Sequence, residues 1–262
     1  MPIVDITDAN DPRIAAYTQI KERDLTGRGD RFIVEGKVTL GVLVERSVFG
    51  IESLFLSETR LEPLSHIIAA IDPDIPVYVA RQTVMDDVAG FSIHRGVLAC
   101  ARKGQPRMVA DIVAAASTTL LLAGLSNHDN VGACFRNAAA LGADAVLLDG
   151  ESCDPLYRKA IRVSAGTALW LPFVHAGPAE DHIVAAKAAG FDIWALTPRA
   201  SAADIRTLER PEKLALLLGA EGPGLPDSLI EAATPVRIPM AATVDSLNVA
   251  TAAAVALSHA MA

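Results

Sequence analysis

Short apolar runs alternate with amphipathic stretches of helix length along most of the chain, separated by polar clusters with glycine or proline. This pattern predicts a layered α/β protein. In the first part, Asp11-Pro12 reads as an N-cap followed by proline at the first helical position, predicting a helix over 11–25 that Arg28-Gly29-Asp30 breaks. Residues 32–34, 51–56, 77–79 and 96–101 read as strands, and 37–46 as a helix with Val38, Val42 and Leu43 inward. The polar stretch Lys103-Gly104-Gln105-Pro106-Arg107 suggests a boundary. The expected division is a domain over 1–103, a linker over 104–118 and a domain over 119–262. In the second domain, strands are expected over 119–123, 145–148, 169–174, 193–196, 214–218 and 236–238. Helices are expected over 131–141, 154–163, 183–189, 226–233 and 247–261, the first ended by Gly142. Residues 214–218, Leu-Ala-Leu-Leu-Leu, are continuously apolar, as in a strand buried on both faces of a parallel sheet.

With 51% hydrophobic residues among 262, the chain can bury a sizeable core, which argues against disorder. The first residues lack a basic region with an apolar run, so no signal peptide is read, and the apolar runs are too short to span a bilayer. Cys100, Cys134 and Cys153 have neither metal-like nor disulfide-like spacing, which points to a reduced, cytoplasmic protein. His66, His175, His182 and His259 show no ligand pattern, so no metal is expected. A net charge of −8 argues against a protein that coats nucleic acid non-specifically. The charge is uneven: residues 1–107 hold 13 Lys and Arg against 15 Asp and Glu, the rest 10 against 16. The first part is therefore better suited to meet a polyanion.

Three patches carry the candidate chemistry, each where an apolar strand gives way to a turn: Asn130-Val131-Gly132-Ala133-Cys134-Phe135-Arg136-Asn137, then Gly219-Ala220-Glu221-Gly222-Pro223-Gly224-Leu225, then Ile238-Pro239-Met240 with Ser246-Leu247-Asn248. Strand ends are where open α/β sheets bind ligands. Asn130 reads as an N-cap. Arg136 follows among small and apolar neighbours, where a guanidinium needs a partner: either a structural carboxylate or carbonyl, or a bound anion. The Gly-x-x-Gly-x-Gly spacing of 219–224 is not a dinucleotide pattern. With Glu221 and no cation, the loop suits an uncharged or cationic ligand, or is simply a tight turn. Ser246 and Asn248 share a site only if Ser246 is the helix cap and Asn248 lies in the first turn; a cap with no further role is the alternative. Arg158, Lys159 and Arg162 form a basic helix face, either solvated or in contact with phosphate.

In order and spacing, the three patches resemble the signature motifs of the SpoU (TrmH-like) branch of the SPOUT RNA methyltransferases, over roughly 119–262. One departure is Asn137, where the family often has threonine. Residues 31–36 and 93–99 resemble the small domain found ahead of many members. The resemblance implies a C-terminal α/β domain with a parallel sheet and a deep trefoil knot, one of the rare exceptions to unknotted chains. It implies a preceding small α/β domain, like ribosomal protein L30e, that binds the RNA substrate. It implies S-adenosyl-L-methionine as cofactor, held around Leu218, Gly219, Gly224, Ile238, Met240 and Leu247. Asn130, Arg136, Glu221, Ser246 and Asn248 would be the catalytic residues of a homodimer that methylates a ribose 2′-hydroxyl in rRNA or tRNA. A non-catalytic RNA-binding or ribosome-associated protein retaining the fold is the alternative; the glycine spacing disfavours a nicotinamide oxidoreductase.

Overall fold

The computed structural model describes residues 2–18, 20, 29–93, 95–241 and 243–261. They form two compact units, Met1–Gln105 with Leu156–Trp170, and Pro106–Pro155 with Leu171–Ala262.

The first unit contains β1 (Ile3–Ile6), β2 (Arg31–Glu35), α1 (Lys37–Arg46), β3 (Ile51–Ser57), α2 (Ser65–Ile68), β4 (Val77–Ala80), α3 (Gln82–Ala89) and β5 (Val97–Arg102). The sheet order is β1-β4-β3-β5-β2. β4 runs parallel to β1 and β3, while β5 runs antiparallel to β3 and β2. Asp11 is the cap that the sequence suggests: its carboxylate accepts from the Arg13 N–H at 2.9 Å. The expected helix is shorter, a 3-10 segment over Pro12–Tyr17, because Thr18 turns to extended backbone. Residues 19 and 21–25 of the expected span, and residue 28 of the expected break, lie outside the described residues. Tyr17 anchors this segment, with its ring 5.2 Å from Phe55 and its hydroxyl donating to the Ser53 carbonyl at 2.9 Å. In α1 Leu43 is buried as expected, together with Thr39 and Leu40, and Val42 is half-buried, whereas Val38, also expected inward, is 63% exposed. The Thr39 hydroxyl sets the phase by donating to the Glu35 and Gly36 carbonyls at the helix start.

The second unit begins with α4 (Val109–Ala115), whose Ile112 and Val113 are buried; this helix occupies much of the stretch read as linker. β6 (Thr118–Ala123), α5 (His128–Ala140) and β7 (Ala145–Leu148) follow. The chain then contributes Leu156–Trp170, including α6 (Arg158–Val163), to the first unit, although the sequence reading put this stretch in the C-terminal domain. Arg158 and Arg162 hold it there: Arg158 pairs with the buried Glu35, Arg162 lies 3.8 Å from the same carboxylate, and the Arg158 guanidinium sits 4.9 Å from the centre of the Phe91 ring. β8 (Phe173–His175), α7 (Ala179–Ala188), β9 (Asp192–Leu196), β10 (Ala203–Asp204), β11 (Leu214–Gly219), α8 (Asp227–Glu231), β12 (Thr234–Arg237) and α9 (Val249–Met261) complete the second unit. β8 is shorter than the expected strand over 169–174, because Thr167–Leu169 is a 3-10 turn and Pro172 precedes the first paired residue.

The second sheet has the order β10-β12-β9-β11-β6-β7-β8, and every ladder is parallel. β11 lies between β6 and β9, and its apolar run is fully buried, as the sequence pattern requires. The strand order reverses on either side of β6, creating a switch point at the carboxyl ends of the central strands. The alanine-rich α9 turns Ala250, Ala253, Ala256 and Ala260 inward. It is joined to α5 by the Asn137 amide, which donates to the Ala250 carbonyl at 2.7 Å.

Candidate functional site

β11 ends in a loop that folds back on itself. The Gly224 N–H donates to the Ala220 carbonyl at 3.1 Å, and Gly222 and Gly224 adopt φ of 88° and 71°, the left-handed region that favours glycine. Gly219 is required for a different reason. A Cβ built on it would lie 2.5 Å from the Gly224 carbonyl carbon and from the Leu225 nitrogen. The motif is therefore a tight turn, and the turn also forms one wall of a cavity of about 440 Å³. Ligand pockets of roughly 300–1,000 Å³ are typical. Leu218, Gly219, Gly224, Ile238, Met240 and Leu247, the six residues read from the sequence as cofactor-binding, all line it. Glu221, Ser246 and Asn248 line it too.

Sequence reasoning missed the fourth wall, Leu196, Thr197, Pro198 and Arg199 at the end of β9. A predicted parallel strand running into Thr-Pro was the available signal. Arg199 brings a cation to the cavity, where the sequence suggested none, and it pairs with Asp227.

A polar cluster stands at the rim. The Asn130 amide donates to Glu221 Oε1; Asn248 Nδ2 donates to Asn130 Oδ1 at 3.0 Å and reaches Glu221 Oε1 at 3.3 Å. Both asparagine roles differ from the expected ones. The cap of α5 is Asn127, whose side chain accepts from the Asp129 N–H at 2.8 Å. Asn130, 8% exposed, lies in the first turn, which frees its amide for Glu221. At α9, Asn248 supplies the capping oxygen, accepting from the Ala250 N–H at 2.9 Å and the Thr251 N–H at 3.3 Å. Ser246 is exposed and does not cap, because α9 starts at Val249, two residues later than expected. One side chain thus caps a helix through its oxygen and joins the cluster through its nitrogen.

Arg136 is the candidate that the fold leaves apart. It is exposed, does not line the cavity, and has no hydrogen-bond or ion-pair partner among the described residues. Six residues beyond Asn130, it projects roughly 240° around the helix from it. The expectation that neighbouring small residues would force a partner fails because the side chain leaves the helix on the solvent side. Cys134, one turn after Asn130, is buried. Its burial, and secondarily the negative charge of Glu221, push the thiol up to about 12, so it stays protonated at neutral pH and is no nucleophile. The basic face of α6 is not a free one, since Arg158 and Arg162 share Glu35 and Lys159 has a partner of its own. No group of three or more His, Cys, Asp or Glu that could hold a metal occurs among the described residues. No helix among them is long and apolar enough to cross a membrane.

Known proteins resemble this chain in sequence and fold. An uncharacterized tRNA/rRNA methyltransferase of Mycobacterium tuberculosis (strain ATCC 25618 / H37Rv) is 38% identical over 265 residues, covering 98% of this chain and 91% of the relative. The 23S rRNA (guanosine-2′-O-)-methyltransferase RlmB of Escherichia coli (strain K12) is 27% identical, covering 87% of this chain and 97% of that one. The crystal structure of an AdoMet-bound rRNA methyltransferase from Sinorhizobium meliloti has the same fold, with a TM-score of 0.83 at 24% identity over 98% of this chain and 97% of that one. The model of the SpoU rRNA Methylase family matches residues 117–258, a span that contains all three patches, the cavity and the asparagine–glutamate cluster. The chain belongs to the SpoU rRNA Methylase family.

Proposed function

We propose that this protein transfers a methyl group from S-adenosylmethionine to a ribose 2′-hydroxyl of rRNA or tRNA. The observation that carries the reading is the joining of two distant patches at one cavity, with Asn130 of the third bonded to Glu221: a backbone-lined wall at Gly219, an apolar wall at Leu218, Ile238, Met240 and Leu247, and a carboxylate at Glu221. These residues fit the cofactor. The apolar side chains suit an adenine ring, the bare Gly219 backbone permits close approach, and the Glu221 carboxylate suits a positive sulfonium. When bound, S-adenosylmethionine supplies an electrophilic methyl group. The relatives named above act on rRNA or tRNA by their descriptions, and one of them on a guanosine 2′-oxygen.

The protein's own part is alignment and charge. Asn130 and Asn248 hold Glu221 at the rim, so the carboxylate is oriented before any ligand arrives. Ser246, with its hydroxyl free at the cavity, positions the ribose. Arg136 holds an RNA phosphate and stabilises the alkoxide that develops on the 2′-oxygen. A guanidinium keeps its proton too strongly to be the default base. Because Arg136 points away from the cavity of its own chain, the reading includes a homodimer in which a second copy completes the site. It also includes the finer fold, a trefoil knot through the cavity loops and an L30e-like first domain that recognises folded RNA by shape, and a cytoplasmic location.

Transfer of labelled methyl to total RNA, with the label mapped in tRNA and rRNA, tests the reaction. Binding of RNA without transfer would favour the non-catalytic alternative. Arg136→Ala is expected to abolish transfer while calorimetry still finds S-adenosylmethionine binding. Loss of that binding in a folded variant would move Arg136 to the cofactor site.

A further inference from the structure

We propose that the first unit carries a phosphate-binding cleft, formed by Lys37, Arg60 and Arg95, that grips the backbone of the RNA substrate; this rests on the RNA-directed reading above. The three cations line a cleft of about 200 Å³ over a floor that includes Leu64 and Val97. All three are exposed, and none has a hydrogen-bond or ion-pair partner among the described residues. The chain has a net charge of −8, and its Arg31, Arg158, Arg199 and Arg206 each hold a carboxylate, whereas these three cations line one cleft without one. Three like charges facing one small space repel one another, and an anion between them relieves the repulsion.

The backbone builds this arrangement. Gly36, with φ 99°, has no Cβ, and Arg95 fills the space: a Cβ there would meet Arg95 Nη1 at 3.1 Å and Cδ at 3.2 Å. Gly96, with φ 58°, leaves no room for a Cβ, which would stand 2.8 Å from Ser57 Cβ and 3.1 Å from Gln82 Oε1, with Arg60 Cγ beside them at 3.4 Å. The turn bearing Arg95 is fixed from below. Asp86 accepts from the Ile93 N–H and from Gln82 Nε2, both at 2.8 Å, and Gln82 also donates to the Ile93 carbonyl at 2.8 Å. The three segments carrying the cations are tied together, since the Gly36 N–H donates to the Val97 carbonyl and the Ser57 N–H to the Gly96 carbonyl, each at 2.9 Å. The charged heads are thus brought together by rigid backbone. The two planar guanidinium groups match paired phosphate oxygens, and Lys37 adds a point charge. Among the described residues, no aromatic side chain lines the cleft to stack a base. Its contacts would therefore position RNA rather than read its sequence.

The test uses the full chain. Fluorescence anisotropy with a folded tRNA or rRNA fragment, over a salt series, compares the natural protein with a Lys37→Ala/Arg60→Ala/Arg95→Ala variant. Calorimetry with S-adenosylmethionine and urea unfolding accompany it. The expected result is at least about tenfold weaker RNA binding and a salt dependence shallower by about 0.9 per lost phosphate contact. Cofactor affinity and unfolding midpoint stay unchanged. Unaltered RNA affinity and salt slope would overturn the proposal, as would binding of inorganic phosphate at the cleft without any effect of the variant on RNA. If the natural protein binds S-adenosylmethionine but no RNA, the cleft proposal falls and the cofactor reading stands. If cation-dependent RNA binding persists without cofactor binding, the cleft stands and the methyltransferase reading falls. If the triple variant unfolds, Arg95→Gln at its exposed side chain carries the same comparison.

Discussion

Replacing Gly219 with alanine puts a methyl group where the backbone of Gly224 and Leu225 already lies. The added Cβ would stand 2.5 Å from the Gly224 carbonyl carbon and the Leu225 nitrogen, and 2.7 Å from the Gly224 oxygen. Relaxed carbon contacts lie at about 3.5–4.0 Å, so the overlap is on the order of 1 Å and falls on backbone, which cannot rotate away. Relief requires the loop to open, which breaks the bond from the Gly224 N–H to the Ala220 carbonyl and moves the cavity wall. Overpacking of this kind costs about 1–3 kcal/mol. For a protein of this size that lowers the melting midpoint by roughly 2–10 °C. Gly150→Ala in the same unit is the control: its Cβ would meet only the Gly177 backbone, at 3.6 Å or more, an ordinary contact. Its effect should stay within about 0.5 kcal/mol. Urea unfolding measures both variants, and calorimetry with S-adenosylmethionine measures the cavity. If Gly219→Ala keeps both the unfolding midpoint and the ligand affinity of the parent, the close approach does not shape the site and the argument fails.

Glu35→Ala should destabilise the first unit by about 3–5 kcal/mol, because it strands Arg158, 12% exposed, without its carboxylate. The double variant with Arg158→Met should recover much of that in urea unfolding, and no recovery would argue against the pair. Asn248→Ala should lose about 1 kcal/mol of α9 capping together with methyl transfer. Asn248→Asp should retain the cap while placing a second carboxylate beside Glu221, so activity falls with a near-native unfolding midpoint; equal activity in the two proteins would remove the cluster from the mechanism. His182 is held below its ordinary 6.5 by burial, which outweighs its bond to the Ala176 carbonyl and the charges of Asp149 and Asp181. The unfolded chain therefore takes up this proton first, and the stability it contributes is complete above pH 6.5 and declines as the pH drops below it. His182→Gln should flatten that part of the pH–stability profile.

Much of the fold can be read locally. The run 214–218 is apolar at every position because β11 has neighbours on both edges and is buried along its length, which favours apolar side chains throughout. The cavity residues were legible for a related reason: small and polar residues at strand ends are where a parallel sheet lets a ligand in. The wall at 196–199 went unread because Thr-Pro after a strand is also an ordinary turn. The Asp11 cap and the inward Leu43 were legible, but the first helix stops early at the extended Thr18, and Val38 of α1 faces solvent. Arg158 and Arg136 show the same limit from opposite sides. Arg158 was read as part of a face either solvated or in contact with phosphate, and Arg136 as needing a partner; Arg158 meets Glu35, 123 residues away, and Arg136 meets solvent.

The sequence alone determined the alternation of strands and helices, the buried parallel sheet, and the family to which the three patches belong. These follow from burial and backbone conformation, which each residue records in its own type and nearest spacing. Only the tertiary structure decided which residues meet. Asn130 reaches Glu221 across 91 residues and Asn248 across 118, and Arg95 settles over Gly36 from another segment. The partner of a polar group depends on which strand ends and turns the topology brings together, and no local pattern carries that information.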